Sequence, residues 1–402
     1  MDILNLKDLE ILKVEENEYD YLITAQALNR PDFCISCYGD NLIKHSVKER
    51  LISDVCIHSK RTKISLTHRR YKCKNCGYTF YEMLDSIEPN TTLTKRLIRT
   101  IERESLTKPF KELEEQFAIS NMTIRRIFDK HIKELEDNRV SVAPRVLGID
   151  EAHLNYKMRG VLTDIENNRL IEITEDNSKP SIKKAIQSMQ GWENIEVVTM
   201  DMAKGYRYTV NEILPNALVV IDKFHVIQYA QMALNRIRVD FKNKLKQVDK
   251  KQFHKDKWLL QSNKEDLSED NLKARDLILE QSDTLMTAYW LKEMIRDLYK
   301  FTDKRQAYEW FYQIEKTIPK DKEFAEFRKL MKTYNACKNE IFNYFDARYT
   351  NAYTESVNNQ IKKVEKQGAG YSFDVLRGKC LFGIQQVKKP KFGKKGFRKV
   401  GD

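Results

Sequence analysis

Apolar residues change their spacing several times along this chain, and each change predicts a different kind of element. Residues 1–90 carry short alternating stretches such as YDYLITAQAL and RTKISLTHRRYKC, the period of half-buried strands. Residues 91–140 switch to helical spacing. After Pro144 the runs RVLGID, RLIEIT, IEVVTMD and ALVVID read as buried strands separated by turns and one or two helices, an α/β pattern. From Tyr206 to Gln367 there is no Gly, and Pro stands only at 215 and 319. Beyond ALVVID a long region is therefore expected to be helical almost throughout.

Composition narrows the class. At 402 residues and 41% hydrophobic content, two to four domains with real cores are expected at roughly 100–200 residues each. Gly (13) and Pro (8) are too few for collagen-like or Gly/Pro-rich disordered chains. The longest aliphatic run, Ala217 to Ile221, is far short of the ~20 residues that span a bilayer, so no membrane partner is expected. The start, MDILNLKDLEILKVEE, mixes acidic and apolar residues where an export signal would be basic and then continuously apolar. The expected location is cytoplasmic, with the nucleoid.

The net charge of +12 is local. Lys44 to Lys72 holds nine Lys or Arg against two acids, and Gln386 to Asp402 seven against one. The rest is close to neutral, a distribution that makes nucleic acid the leading partner.

Seven Cys, an odd number, argue against a disulfide framework. Cys34 and Cys37 in CISC and Cys73 and Cys76 in CKNC form two CxxC pairs, the spacing of a four-thiolate Zn²⁺ site, with Gly39 and Gly77 just after each pair. Cys56 and His58 lie between the pairs, and the simpler reading keeps them out of the metal. In PFKELEEQFAISNMTIRRIFDKHI, apolar Phe110, Leu113 and Phe117 share one helical face and Ile124, Ile127 and Phe128 another. A short turn between them, capped by Ser120 or Asn121, predicts a helix-turn-helix. Its second helix carries Arg125, Arg126 and Lys130 on the wet side for DNA.

Three strand-like runs end in Asp, at Asp150, Asp201 and Asp222, and a carboxylate on a rigid strand edge suits metal coordination. TNAYTESVNNQIKK adds Glu355 in a helix whose inner face is Val357, Ile361 and Val364. Glu355, Asn358, Asn359, Lys362 and Lys366 are placed together on the outer face, where amides and ammonium groups suit a phosphate backbone.

The ordered set CISC…CKNCGYTF, LGIDEAHL, VVTMDMAKGYRYTV, VVIDKFHVIQ, NAYTESVNNQIKK and GYSFDVLRGKCLF resembles transposases of the insertion-sequence L-three (ISL3) family over essentially the whole chain. The resemblance implies a DDE transposase: a ribonuclease-H-like α/β catalytic domain with a large all-helical insertion, preceded by a small zinc-binding β module and a helix-turn-helix. It places the catalytic acids at Asp150, Asp201 and Glu355, holding two Mg²⁺ or Mn²⁺ ions, with Zn²⁺ structural. DNA contacts are expected from Arg125, Arg126, Lys130, Asn359 and Lys362, and a supportive role from Asp222 and His225. The implied partners are double-stranded DNA, as element ends and target, and further copies of the chain in a homo-oligomer. The implied divisions are 1–90, 91–140, 145–224, a helical insertion over 225–345, 346–385, and a basic tail over 386–402. Trp258, Trp290 and Trp310 of the insertion are expected in its core. A catalytically inert DNA-binding regulator and a metal-dependent structure-selective nuclease are the competing readings; an altered triad would point to the first, and cutting without joining to the second.

Overall fold

The computed structural model describes residues 3–202, 204–245 and 256–384, so the basic tail lies outside the described residues. The chain divides into two compact units, Met1–Arg139 with Ile361–Asp402, and Val140–Gln360. Mixed sheets and many helices make it an α/β protein. No described helix is long and apolar enough to cross a membrane.

The first unit opens with a sheet of β1 (Leu9–Glu16), β2 (Asp20–Ala27), β3 (Leu42–Ile57), β4 (Lys60–Cys73) and β5 (Thr79–Tyr81), ordered β1-β2-β4-β3 with β5 on β4. Period two is visible in β2, where Tyr21, Ile23, Ala25 and Ala27 are buried in alternation. Tyr21, Ile23 and Ala25 pack with Ile52, Ile64 and Leu66. Three helices follow, α1 (Lys95–Glu104), α2 (Phe110–Phe117) and α3 (Asn121–Asp137). The apolar faces read from the sequence meet here: Phe110, Leu113, Phe117, Ile124, Ile127 and Phe128 share one core with Leu97 and Ile101. Ser120 caps α3 by accepting from the Thr123 N–H.

The last described helix, Phe373–Gly383, belongs to this unit and adds Val375 to the same core. Its Lys379 is buried, donates to the Ser105 and Lys108 carbonyls and lies over the Phe110, Phe128 and Tyr371 rings. Burial lowers its pKa to about 7.

The second unit is built on β6 (Val146–Leu154), β7 (Lys157–Asp164), β8 (Arg169–Ile173), β9 (Val197–Met200) and β10 (Leu218–Ile221), in the order β10-β9-β6-β7-β8. β10 and β9, and β9 and β6, pair in parallel; β6 with β7 and β7 with β8 are antiparallel. Two features differ from the sequence expectation. Asp150 does not end its strand but lies within β6, opposite Val161. β7 was not among the predicted runs, since its first half is polar and Gly160 interrupts it. That glycine is a packing device: a Cβ there would stand 2.3 Å from Ile182 Cδ1, on α4 (Lys179–Gln187), which lies against the sheet.

Beyond α5 (Lys204–Ile213) and β10 the unit is helical, as the absence of glycine predicts: α6 (Lys223–Lys244), α7 (Asp256–Gln261), α8 (Glu269–Leu279), α9 (Asp283–Asp297), α10 (Lys304–Thr317), α11 (Ala325–Ala336), α12 (Lys338–Phe342) and α13 (Tyr344–Ala347). Tyr289, Phe311, Phe327, Tyr334 and Phe342 fill its core. Two of the three tryptophans do not: Trp258 and Trp290 are 52% and 50% exposed, while Trp310 is half-buried, packs against this core and donates from Nε1 to the Met294 carbonyl at 2.8 Å. Tyrosine and phenylalanine supply the buried rings instead. The helix α14 (Ala352–Gly368) then returns to the sheet.

Candidate metal centres and DNA-facing residues

The thiolate cluster forms from two tight turns. The Tyr38 N–H donates to the Cys34 carbonyl and the Gly77 N–H to the Cys73 carbonyl, both at 2.9 Å, so each CxxC pair wraps back on itself. Gly77 sits at φ +77, and a Cβ on Gly39 would fall 2.3 Å from Asn75 Nδ2, which explains both glycines. Cys34 and Cys73 are buried, Cys37 and Cys76 exposed. Their sulfurs stand 3.7 Å apart for Cys34–Cys76 and 3.6 Å for Cys37–Cys73, and all four lie within 4.8 Å of one another. Four thiolates at ~2.3 Å from one tetrahedral zinc ion would be about 3.8 Å apart, so the donor set fits structural Zn²⁺. Against the burial that would raise it, the Cys37 and Ser36 N–H groups bring the Cys34 thiol down to about 7. Cys56 is half-buried with its thiol directed at the Gln116 carbonyl, and His58 is exposed.

The carboxylates are brought together by strand register. Gly148 pairs with Thr199, and Ile221 with Met200. Continuing those registers puts Asp150 of β6 level with Asp201 and Asp222, which stand one residue past the ends of β9 and β10, at ~4.8 Å strand spacing. Asp150 has one bond to each oxygen: Oδ1 accepts from the Glu151 N–H at 2.8 Å and Oδ2 from Asn358 Nδ2 at 2.9 Å. Burial pushes its pKa up to about 6; the Glu151 N–H and His225 act against this, and Asp201 and Asp222 add to it. His225 Nδ1 lies 3.4 Å from Asp222 Oδ2. That contact raises the imidazole pKa, opposed by burial and helped by Asp150, Asp222 and Asp201. A half-buried imidazole thus faces three aspartates.

Helix α14 is pinned to this edge by residues that sequence reasoning passed over. Asn351 is buried; its N–H donates to Asp222 Oδ1, its Nδ2 to the Ile149 carbonyl, and its Oδ1 accepts from Thr199 and Thr354. One residue therefore ties the helix start to β6 and β9 through its side chain and to the end of β10 through its backbone N–H. Thr354 comes so close to Gly148 that a Cβ there would stand 2.4 Å from its Oγ1, which gives the glycine of LGID its physical reason. Asn358 is 5% exposed and does not share the outer face with Glu355; its partner is Asp150. The inner stripe read from Val357 and Ile361 was right but too narrow, since a polar residue joins it wherever the sheet presents a polar group.

Glu355 is exposed. It lies one turn before Asn358, about 60° away around the helix at 100° per residue, at the margin of the buried stripe. Asn359 and Lys362 are exposed on the same helix. Tyr206, from GYRYTV, was also missed. Its hydroxyl is buried without a hydrogen-bond partner of good geometry, and burial with the charges of Glu151, Asp201 and Asp150 pushes its pKa up.

The cations expected at DNA are not equivalent. Arg125 Nε is held by Asp129 at 2.7 Å and its guanidinium reaches Ser372 at 3.4 Å. Lys130 stands 3.9 Å from Glu134. Arg126 is exposed, and no ion pair holds it among the described residues. In the basic hairpin of β3 and β4, Lys60, Arg61, Lys63, Arg69 and Arg70 hold the fold together through Glu16, Asp20, Ser53, Gln26 and Thr79. Lys44, Lys48 and Lys72 remain exposed.

Known protein families match both regions of the chain. Residues 147–380 match a family described as transposase, of the DDE type found in ISL3 elements. Residues 30–76 match the zinc finger of transposases of IS204, IS1001, IS1096 and IS1165. The chain is similar to the transposase for insertion sequence element IS1001 of Bordetella parapertussis, 23% identical over 357 residues that cover 84% of this chain and 85% of that protein.

Proposed function

We propose, for a chain that belongs to the ISL3 family of transposases, that it binds the ends of its insertion sequence and cuts and rejoins DNA through Asp150, Asp201 and Glu355. The observation that carries this reading is the register of the parallel strands β6 and β9, which sets Asp150 level with Asp201 just past the end of β9, with the helix of Glu355 pinned against them by Asn351 and Asn358. A first strand flanked by antiparallel partners on one side and parallel ones on the other is also the order expected of a ribonuclease-H-like core. The pair α2 and α3 supports the helix-turn-helix reading: Ala118 turns the chain in the left-handed region at φ 49, and its carbonyl accepts from Lys63 Nζ at 3.0 Å.

The site fits hard divalent cations. Asp150 keeps a lone pair on each oxygen, its neighbours are carboxylates rather than thiolates, and Asn358 Oδ1 is a buried polar atom without a partner. Mg²⁺ or Mn²⁺ bound there would supply Lewis acidity for in-line displacement at phosphorus. Asp150 and Asp201 would hold the site from the sheet and Glu355 would close it from α14. Asp222 keeps the helix start and His225 in place. The reaction proposed is hydrolysis of a phosphodiester at the element end, releasing a 3′ hydroxyl and a 5′ phosphate, then attack of that hydroxyl on a target phosphodiester, whose own 3′ oxygen leaves as a hydroxyl. No side-chain nucleophile is required.

The test mixes purified protein with a labelled element end, supercoiled target and Mg²⁺ or Mn²⁺, beside a Glu355→Ala control. Joined product from the unsubstituted chain alone is expected. Specific binding without cutting would instead favour a regulator, and cutting without joining a nuclease.

A further inference from the structure

Asn358 sits where two needs meet. Its Nδ2 donates to Asp150 Oδ2 at 2.9 Å, and the reverse orientation would set a carbonyl oxygen against a carboxylate. Its Oδ1 is therefore turned away from Asp150, and it is buried without a partner. A buried acceptor left unpaired is unfavourable, and native folds rarely keep one unless water or an ion-bound group supplies the donor. The amide also belongs to α14, one turn past Glu355. The bond from Asn358 to Asp150 thus links the strand carrying one carboxylate to the helix carrying another. Nothing else on that turn does so: Val357 and Ile361 are apolar, and Asn359 and Lys362 are exposed.

We propose that Asn358 is a positioning residue of the cation site. Its Nδ2 pins Asp150 Oδ2 and so fixes the separation of Asp150 from Glu355, and its Oδ1 accepts a hydrogen bond from a water belonging to the bound ion. This rests on the metal-centre reading above. It extends that reading from the carboxylates to the groups behind them, which commonly set affinity by orienting the ligands.

The experiment uses the full chain without DNA and Mn²⁺ as the probe. Binding is followed by the electron paramagnetic resonance of free Mn²⁺, and exchangeable protons near the bound ion by electron–nuclear double resonance. Asp150→Asn should abolish site binding. Asn358→Leu, which keeps the branched heavy-atom framework though it is larger and cannot form either hydrogen bond, should weaken Mn²⁺ by about 10- to 100-fold, remove one class of exchangeable-proton coupling and leave the thermal midpoint near that of the parent. Should the leucine variant melt early, Asn358→Ala removes the same two polar atoms and is read in the same way. Parental affinity and couplings in the Asn358 variant would overturn the assignment of Asn358 alone. Weaker binding with parental couplings would reduce it to packing and overturn it too. Mn²⁺ binding indifferent to Asp150→Asn would overturn the metal-centre reading itself, and this proposal with it.

Discussion

The thiolate cluster and the carboxylate edge are both metal-shaped, yet they are assembled in opposite ways. The four cysteines come from two short turns, each closed by residues within five positions of its sulfurs and set beside the other by the single pairing of β3 with β4. The acidic edge gathers residues from 150 to 358 through strand register, and its alignment depends on a helix more than 150 residues further along the chain. A local site should tolerate changes elsewhere and collapse when one ligand goes. An assembled site should respond in degrees to any change that shifts a strand or helix against another.

The largest effect is expected at the local centre. Cys73→Ser should release Zn²⁺ and unfold the module around residues 30–80, because structural zinc contributes on the order of 10 kcal/mol to such folds. Metal analysis and amide exchange check this, with protection of β6 and β9 retained. Asp150→Asn should reduce strand joining by at least about 10²- to 10³-fold, the scale of losing a group that acts in the transition state, while DNA binding by gel shift stays intact. An unchanged joining rate would break the comparison at its catalytic end.

Gly148→Ala tests whether the assembled site depends on close approach. The added methyl meets Thr354 and should cost about 1–3 kcal/mol by calorimetry, with zinc content unaltered.

A pH series sharpens the contrast further. Burial keeps the proton on Asp150 up to about 6, above the ordinary 3.8. Between those values the folded chain binds more protons than the unfolded one, so this group makes stability fall as pH rises through that window. Cation binding needs the ionised form, and Mn²⁺ affinity should therefore drop about tenfold per unit below pH 6. Asp150→Asn should remove the stability slope.

The smallest effect belongs to a single surface cation. Arg126→Ala should lower the salt slope of DNA binding by about 1, and Arg125→Ala by less, since Asp129 already engages that guanidinium.

Much was legible in the sequence where causes are local. The CxxC pairs with their glycines, the apolar faces of α2 and α3, the Ser120 cap and the glycine-free helical region each follow from residues a few positions apart, and each appears in the fold. Asp150, Asp201 and Asp222 were picked out as acids after apolar runs, but their sequence could not say that β6 continues past Asp150 or that the three lie level. Register is a property of paired strands. Asn358 was placed on the wrong side of α14 for the same reason. Amides favour water unless a buried partner exists, and the partner, Asp150, is 208 residues away. Nothing in the sequence marks Gly160 as the place where Ile182 approaches the sheet. Spacing, charge and residue chemistry thus determined which groups this protein has available. Which of them face one another was decided only by the tertiary structure, because burial and hydrogen bonding between distant segments are settled when the strands and helices pack.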